Sequence, residues 1–287
     1  MPSLPDMTTP NLTALAGQAL ADSGHVAVPA PDAGQPEFVE FLQRLGDNCL
    51  ILGHRVSEWC GHAPALEEDI ALANQALDLI GQCQLWLGLA AEVEGKGRDA
   101  DALAYLRDAG AFRNLLLVEL PNGDFGITLM RQFLFDAFHI ELLRALKASA
   151  DSRVADIAAK AEKEVAYHLE RSADLVIRLG DGSDESRRRM QAALTKLWSY
   201  TGEMFVDDAV DQAMSEAGIA PLPSSLKAAW DKTVAAVLDE ATLAAPAEAW
   251  QHGVRNPGGK KGVHTEHLGY ILAEMQFLQR AYPGARW

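Results

Sequence analysis

The chain has 287 residues, of which 48% are apolar and 23% charged, and this composition excludes a collagen, a coiled-coil rod and a wholly disordered chain. It carries 25 basic and 40 acidic residues, which give a formal net charge of −15. Because such a charge repels nucleic-acid phosphates and anionic lipid surfaces, we expect neither a nucleic acid nor a membrane as a partner.

The N-terminal segment 1–36 differs in composition from the rest of the chain. It contains six of the 13 prolines and no lysine or arginine, which is typical of flexible segments. We predict a flexible tail over 1–36, in which 12–20 could form a transient helix or a docking segment. The remainder, 37–287, is predicted to be one helical domain.

From residue 37 onward the pattern is helical throughout. Apolar residues recur at intervals of three and four, strong helix formers dominate, and no run alternates with the period of a strand. The remaining prolines mark the loops between predicted helices. These helices cover 38–60, 65–94, 102–119, 125–149, 152–179, 184–216, 224–243 and 265–281. The sequence therefore predicts an all-α fold.

The cysteine content and the lack of hydrophobic signals bear on the compartment. Cys49, Cys60 and Cys83 are odd in number and contain no C-x-x-C pair, so we expect small core residues rather than a disulfide framework. The sequence shows no secretion signal and no stretch of about 20 apolar residues. These features favour a cytoplasmic protein.

The second predicted helix, 65–94, combines an apolar surface with a polar line. Leucine and isoleucine lie on nearly every side of it, which predicts that protein encloses the helix on most sides. Asn74, Asp78 and Gln82 are spaced by four and therefore share one face. We expect this polar line to run through the interior.

Three further predicted helices carry polar pairs at helical spacing. Asp136 and His139 are three residues apart among phenylalanines, Glu164 and His168 are four apart, and Glu203 and Asp207 are four apart. Because buried polar side chains need hydrogen-bond partners, we expect these groups to satisfy one another inside a bundle.

Inward carboxylates and imidazoles are typical of ferritin-like di-iron proteins, in which two Glu and two Glu-x-x-His pairs hold two metals. No Glu-x-x-His occurs in this chain, and the nearest core pattern is Asp136-x-x-His139. We predict a ferritin-like helical bundle with additional helices, whose metal cavity has become a polar network. The candidate residues of this degenerate cavity are Asp78, Gln82, Asp136, His139, Glu164 and His168.

A glycine- and lysine-rich loop, 258–262, precedes the last predicted helix. Its glycines expose backbone amides and its lysines add charge, but the spacing of a phosphate-binding loop is missing. We consider this region a candidate interface or anion-binding loop. Its candidate residues are Gly259, Lys260, Lys261, His264 and Glu266.

The run His264-Thr265-Glu266-His267 places two histidines three residues apart, as in some zinc sites. A helix start explains the run more simply, with Thr265 as the N-cap and Glu266 beside the positive end of the helix dipole. We therefore predict that no metal binds here.

Five separate blocks of sequence occur in the order expected of one family. They are 45–50, 58–64, 71–74, 114–119 and 258–269, which reads Gly-Gly-Lys-Lys-Gly-Val-His-Thr-Glu-His-Leu-Gly. These blocks closely resemble the C subunits of bacterial 1,2-phenylacetyl-CoA epoxygenases, the PaaC family. The resemblance runs from about residue 41 to residue 287.

The resemblance implies a ferritin-like, non-catalytic structural subunit of a multicomponent monooxygenase in aerobic phenylacetate degradation. In that family the complex epoxidises the ring of phenylacetyl-CoA with O₂ and NADPH. The di-iron centre belongs to the catalytic A subunit, which the C subunit pairs with and supports. A reductase subunit with flavin and an iron–sulfur cluster supplies the electrons. By this resemblance the chain binds no cofactor of its own.

An alignment by eye with a catalytic relative supports this expectation. If 78–82 lies where the first Glu-x-x-His stands, Leu79 and Gln82 replace both ligands. In the later motif Val165 takes the position of the glutamate and His168 stands alone.

Two alternatives remain open on the sequence. The first is an active subunit with an atypical two-metal site, formed by Asp136, His139, Glu164 and His168 together with Glu203 or Asp78. The second is a helical bundle that binds a CoA thioester, with Lys260 and Lys261 on the phosphates.

Overall fold

The computed structural model describes residues 36–247 and 258–285. Every regular element within those two ranges is helical, which confirms the all-α prediction. None of the helices described is both long enough and apolar enough to span a bilayer. The predicted tail lies outside the described residues, except for Pro36.

The described part of the chain contains four long helices and several short ones. In chain order the α-helices are α1 (Pro36–Ser57), α2 (Leu66–Glu94), α3 (Ala100–Tyr105), α4 (Leu116–Glu119), α5 (Phe125–Leu146), α6 (Ser152–Gly180), α7 (Asp184–Trp198), α8 (Ala209–Glu216), α9 (Lys227–Glu240), α10 (Glu266–Met275) and α11 (Phe277–Ala281).

The long helices α1, α2, α5 and α6 form the bundle that the sequence predicts. Glycines allow α1 to approach α2 closely, since a Cβ added at Gly46 would lie 2.6 Å from the side chain of Leu87. Hydrogen bonds between side chains join α2 to α6 and α5 to α6. The architecture is a ferritin-like bundle, to which the shorter helices are added.

The prediction of one continuous helix over 102–119 is wrong, because its middle is not α-helical. Helix α3 ends at Tyr105, and α4 begins only at Leu116. Between them, two side chains of α1 bind backbone amides of the loop: Asp47 accepts from the Arg113 N–H at 2.8 Å, and Asn48 accepts from the Leu115 N–H at 2.8 Å. These bonds take the place of helical ones. The segment contains a 3₁₀ turn at Ala109–Ala111 and extended backbone at Phe112 and Leu115.

The predicted helix 184–216 is also interrupted. Helix α7 ends at Trp198, a 3₁₀ turn covers Gly202–Phe205, and α8 begins at Ala209. Asp208 forms a capping box with Asp211, in which each side chain accepts from the other residue's backbone N–H. The box fixes a new helix start that periodicity alone does not show.

The predicted enclosure of α2 is wrong on one side. Leu66, Ile70 and Leu77 are 70%, 52% and 69% exposed. The opposite side, with Leu79 and Trp86, is fully buried. The apolar residues of α2 therefore cover two faces, of which the described part of the chain buries one.

The polar line of α2 and the cysteines also need correction. Gln82 is buried, but the Asp78 side chain is 38% exposed and Asn74 is exposed, so the line leaves the interior towards the start of the helix. Cys49 and Cys83 are core residues as predicted, whereas Cys60 is exposed. Burial raises the pKa of the Cys49 thiol, so it stays protonated.

Candidate functional site

Two side-chain hydrogen bonds, one helical turn apart, join α2 to α6. The side-chain amide of Gln82 donates to Glu164 Oε2 at 2.9 Å, and the His168 Nε2–H donates to Asp78 Oδ2 at 2.9 Å. The Cys49 thiol approaches the Gln82 carbonyl at 3.8 Å. Four of the six predicted cavity residues are therefore paired with one another.

Asp136 and His139 of α5 lie on the other side of this interior. Asp136 is fully buried and accepts from the Gln132 side-chain amide at 2.6 Å and from the Ser172 hydroxyl at 3.0 Å. Burial raises the pKa of Asp136 to about 6. Burial lowers the pKa of His139 to about 3, so its ring is neutral at pH 7.

Several buried polar atoms in this interior find no hydrogen-bond partner among the residues described. They include both side-chain polar atoms of Gln75, Oε1 of Gln132, and Nδ1 of His139 and His168. Such atoms are normally bridged by ordered water. The interior is therefore a polar network that protein side chains satisfy only in part.

The residues at this centre do not fit a ferritin-like dinuclear metal site. That site needs four carboxylates and two imidazoles from four helices. Leu79 and Val165, on the two facing helices, are fully buried and apolar, and Glu164 already accepts from Gln82. In the described ranges, no group of three or more His, Cys, Asp or Glu side chains is placed to hold a metal ion.

Glu119 is the centre of a second buried cluster. Its fully buried carboxylate accepts from Asn114 Nδ2 at 2.9 Å, from His264 Nδ1 at 2.8 Å and from the Thr265 N–H at 2.6 Å. The Nε2 of His264 faces the Phe112 carbonyl at 3.1 Å. The predicted loop residue His264 thus joins the loop before α10 to α4.

The start of α10 agrees with the simpler interpretation of the histidine run. The Thr265 side chain accepts from the His267 N–H at 3.3 Å, which confirms Thr265 as the N-cap. Glu266 is exposed in the first turn of the helix.

The two lysines of the 258–262 loop form ion pairs within the protein. Lys260 Nζ contacts Asp211 at 2.5 Å and the Val206 carbonyl at 2.8 Å, and Lys261 Nζ contacts Asp208 at 2.6 Å. Although burial opposes the shift, hydrogen bonds from Arg44 hold the pKa of Asp208 well below its usual range. A phosphate at this loop would have to displace these carboxylates.

Gly259 is needed because the loop lies directly on another backbone segment. A Cβ added there would lie 1.9 Å from the Asn114 carbonyl oxygen. The 258–262 loop is therefore docked against the segment that leads into α4.

Comparison with known proteins agrees with this structure. A family model described as "Phenylacetic acid catabolic protein" matches residues 26–287. The chain belongs to this family. It is 52% identical over 251 residues to the C subunit of the 1,2-phenylacetyl-CoA epoxidase of Escherichia coli (strain K12), a match that covers 88% of this chain and 99% of that relative. The resemblance seen in the sequence blocks is confirmed.

The sequence alone did not reveal the buried ion pair between Asp47 and Arg107. Asp47 is fully buried and binds the Arg107 guanidinium, with Nη1 at 3.0 Å from Oδ2. Asp47 stands within the apolar stretch of α1, in the block 45–50. A lone carboxylate in such a stretch was the signal that could have revealed the pair.

Proposed function

We propose that the chain is the non-catalytic subunit of a 1,2-phenylacetyl-CoA epoxidase in aerobic phenylacetate degradation. The likeness to the C subunit of such an enzyme, over nearly the full length of both chains, supports a place in an assembly of this kind. The interior supports the non-catalytic role, because Gln82 and Glu164 are hydrogen-bonded to each other, and Leu79 and Val165 on the same two helices are apolar and fully buried.

In this proposal the di-iron centre belongs to the catalytic subunit, and the flavin, the iron–sulfur cluster and the NADPH site belong to the reductase. This chain contributes a rigid bundle with a closed interior. The hydrogen bonds of Gln82 with Glu164 and of His168 with Asp78 fix the spacing of α2 and α6, and the surface of the chain would bury one face of the catalytic subunit. Such burial holds the ligand-bearing helices of that subunit in place and excludes water from its centre.

Reconstitution from purified subunits tests the proposal. The catalytic subunit and the reductase are assayed for phenylacetyl-CoA-dependent NADPH oxidation and for the epoxide, with and without this chain. We expect activity only when the chain is present, and no activity from the chain with the reductase alone. If the chain and the reductase turn over without the catalytic subunit, and this activity is lost in both Asp136→Ala and His168→Ala, the chain is instead an active subunit with an atypical two-metal site.

A further inference from the structure

One long face of α2 is exposed and carries no charge. We call it the outer α2 face and define it by Leu66, Ile70, Leu77, Gly81 and Gly88. These positions follow each other at intervals of four and seven, which keeps them on one side of a helix. The three apolar side chains are each at least half exposed.

Nothing among residues 36–247 and 258–285 accounts for such a face. A helix that is apolar on all sides is normally enclosed by protein, yet the described residues leave this side open. Glycine in a helix interior also costs stability relative to alanine. A Cβ added at Gly81 or Gly88 would meet nothing within 4 Å, so packing within the described structure does not require either glycine.

A second helix lying along this face would account for both observations. Apolar side chains would become buried, and small residues would let the two backbones approach closely. The segment from Leu66 to Gly88 is about 33 Å long at ~1.5 Å per residue. That length suits a standard interface of about 800 Å² on each partner.

The charges indicate which kind of protein lies there. Every charged residue of α2 is acidic, and the whole chain has a formal net charge of −15. Four of these acids, Glu68, Asp78, Glu92 and Glu94, are paired with Arg171, His168, Arg153 and Arg98 of the same chain. The net charge of the whole chain still opposes the approach of a second copy. The face therefore suits an apolar helix of a less acidic protein.

We infer that the outer α2 face is the docking surface for an apolar helix of the catalytic subunit of the epoxidase. The inference rests on the proposed function and adds the surface that it uses. Tyr167 on α6, which is 61% exposed and adjacent to His168, lies on the helix beside this face. It is positioned to extend the contact.

The first test compares two equal substitutions at exposed leucines. Leu77→Glu places a charge in the outer α2 face, and Leu106→Glu makes the same change at a residue that is 57% exposed after α3. Binding of each purified chain to the purified catalytic subunit is measured by calorimetry. We expect the Kd to rise at least about 30-fold for Leu77→Glu and less than about 3-fold for Leu106→Glu.

A second variant separates docking from folding. Gly81→Leu adds bulk where this chain has open space and replaces a poor helix former, so we expect the Tm of the isolated chain to rise by about 2–4 °C. The same side chain would block the close approach of a partner helix. We therefore expect a Kd at least about 10-fold higher from a protein that is more stable.

The outcomes distinguish the inference from the proposed function. If the unaltered chain does not bind the catalytic subunit, both the proposed function and the partner assigned to the outer α2 face are wrong. If the unaltered chain binds and both Leu77→Glu and Gly81→Leu bind equally well, only the docking face is wrong. A homodimer of the unaltered chain that Leu77→Glu dissociates would show that the occupant is a second copy and would overturn the inference.

Discussion

Gln82 of α2 donates its side-chain amide to Glu164 of α6 at 2.9 Å in the middle of the bundle. An amide and a carboxylate satisfy each other here, where two carboxylates would need a metal or a proton between them. The pair therefore stabilises the interior without an added ion, and this relationship leads to the first prediction.

Gln82→Glu should destabilise the chain at neutral pH by about 1–3 kcal/mol, because two carboxylates would then face each other at a partly buried position. The loss should be smaller at pH 5, where one of the carboxyls takes up a proton. Urea unfolding at pH 5 and pH 8 measures both values. Gln84→Glu, an exposed position on the same helix, is the matched control and should change the free energy of unfolding by less than about 0.5 kcal/mol.

The unfolding free energy of Asp136→Asn, relative to that of the unaltered chain, should increase as the pH rises. Burial raises the pKa of Asp136 to about 6, from an ordinary value of 3.8. Its contribution to stability is thus complete below about pH 4 and is lost as the pH rises through about 6, a change of about 3 kcal/mol. The difference in unfolding free energy between variant and unaltered chain, followed from pH 4 to pH 8, measures it.

The comparison with Asp136→Asn is necessary because burial of His139 changes the stability with pH in the direction opposite to that of Asp136. Burial lowers its pKa to about 3, so it stabilises the fold above its ordinary pKa and loses that contribution as the pH falls. The pH profile of the unaltered chain alone therefore mixes the two groups. A pH-independent effect of Asp136→Asn would contradict the assignment of a raised pKa to Asp136.

Arg107→Met should cost about 3–5 kcal/mol, because it leaves the fully buried carboxylate of Asp47 without its cation. Asp47→Asn combined with Arg107→Met should recover part of that loss, since no charge is then buried alone and the amide oxygen can still accept from the Arg113 N–H. Unfolding of the two single variants and the double variant completes the cycle. Additive losses would show that the two residues do not depend on each other.

Gly259→Ala should destabilise the chain by more than about 2 kcal/mol, because a Cβ there would lie 1.9 Å from the Asn114 carbonyl oxygen. The control is Gly269→Ala in α10, where a Cβ meets nothing within 4 Å and where helix propensity favours alanine by about 1 kcal/mol. Thermal unfolding should therefore shift the two variants in opposite directions. Equal shifts would contradict the docking of the 258–262 loop.

Periodicity and proline placement were sufficient to predict the long helices α1, α2, α5 and α6, because their apolar residues repeat over many turns. The same signals failed at 106–115, where the loop conformation depends on hydrogen bonds from Arg113 and Leu115 to Asp47 and Asn48, which lie 66 and 67 residues earlier in the chain. A pattern within a short window contains no information about such distant hydrogen bonds.

The candidate site shows the same division. Spacing placed Asp78 and Gln82 on one face and Glu164 and His168 on another, and the structure pairs them across the α2–α6 contact. Spacing did not reveal Glu119, which gathers its donors from segments far apart in sequence. It also could not show that the other apolar side of α2 is exposed, since a pattern of buried residues is the same whether one chain or two provide the cover.

Metal analysis of the purified chain, alone and in complex with the catalytic subunit, tests the central claim most directly. The account predicts that the chain isolated from iron-supplemented cells contains no stoichiometric iron or manganese, and that the complex contains only the metal of the catalytic subunit. Iron or manganese bound stoichiometrically to the isolated chain, and lost in both Asp136→Ala and His168→Ala, would contradict it.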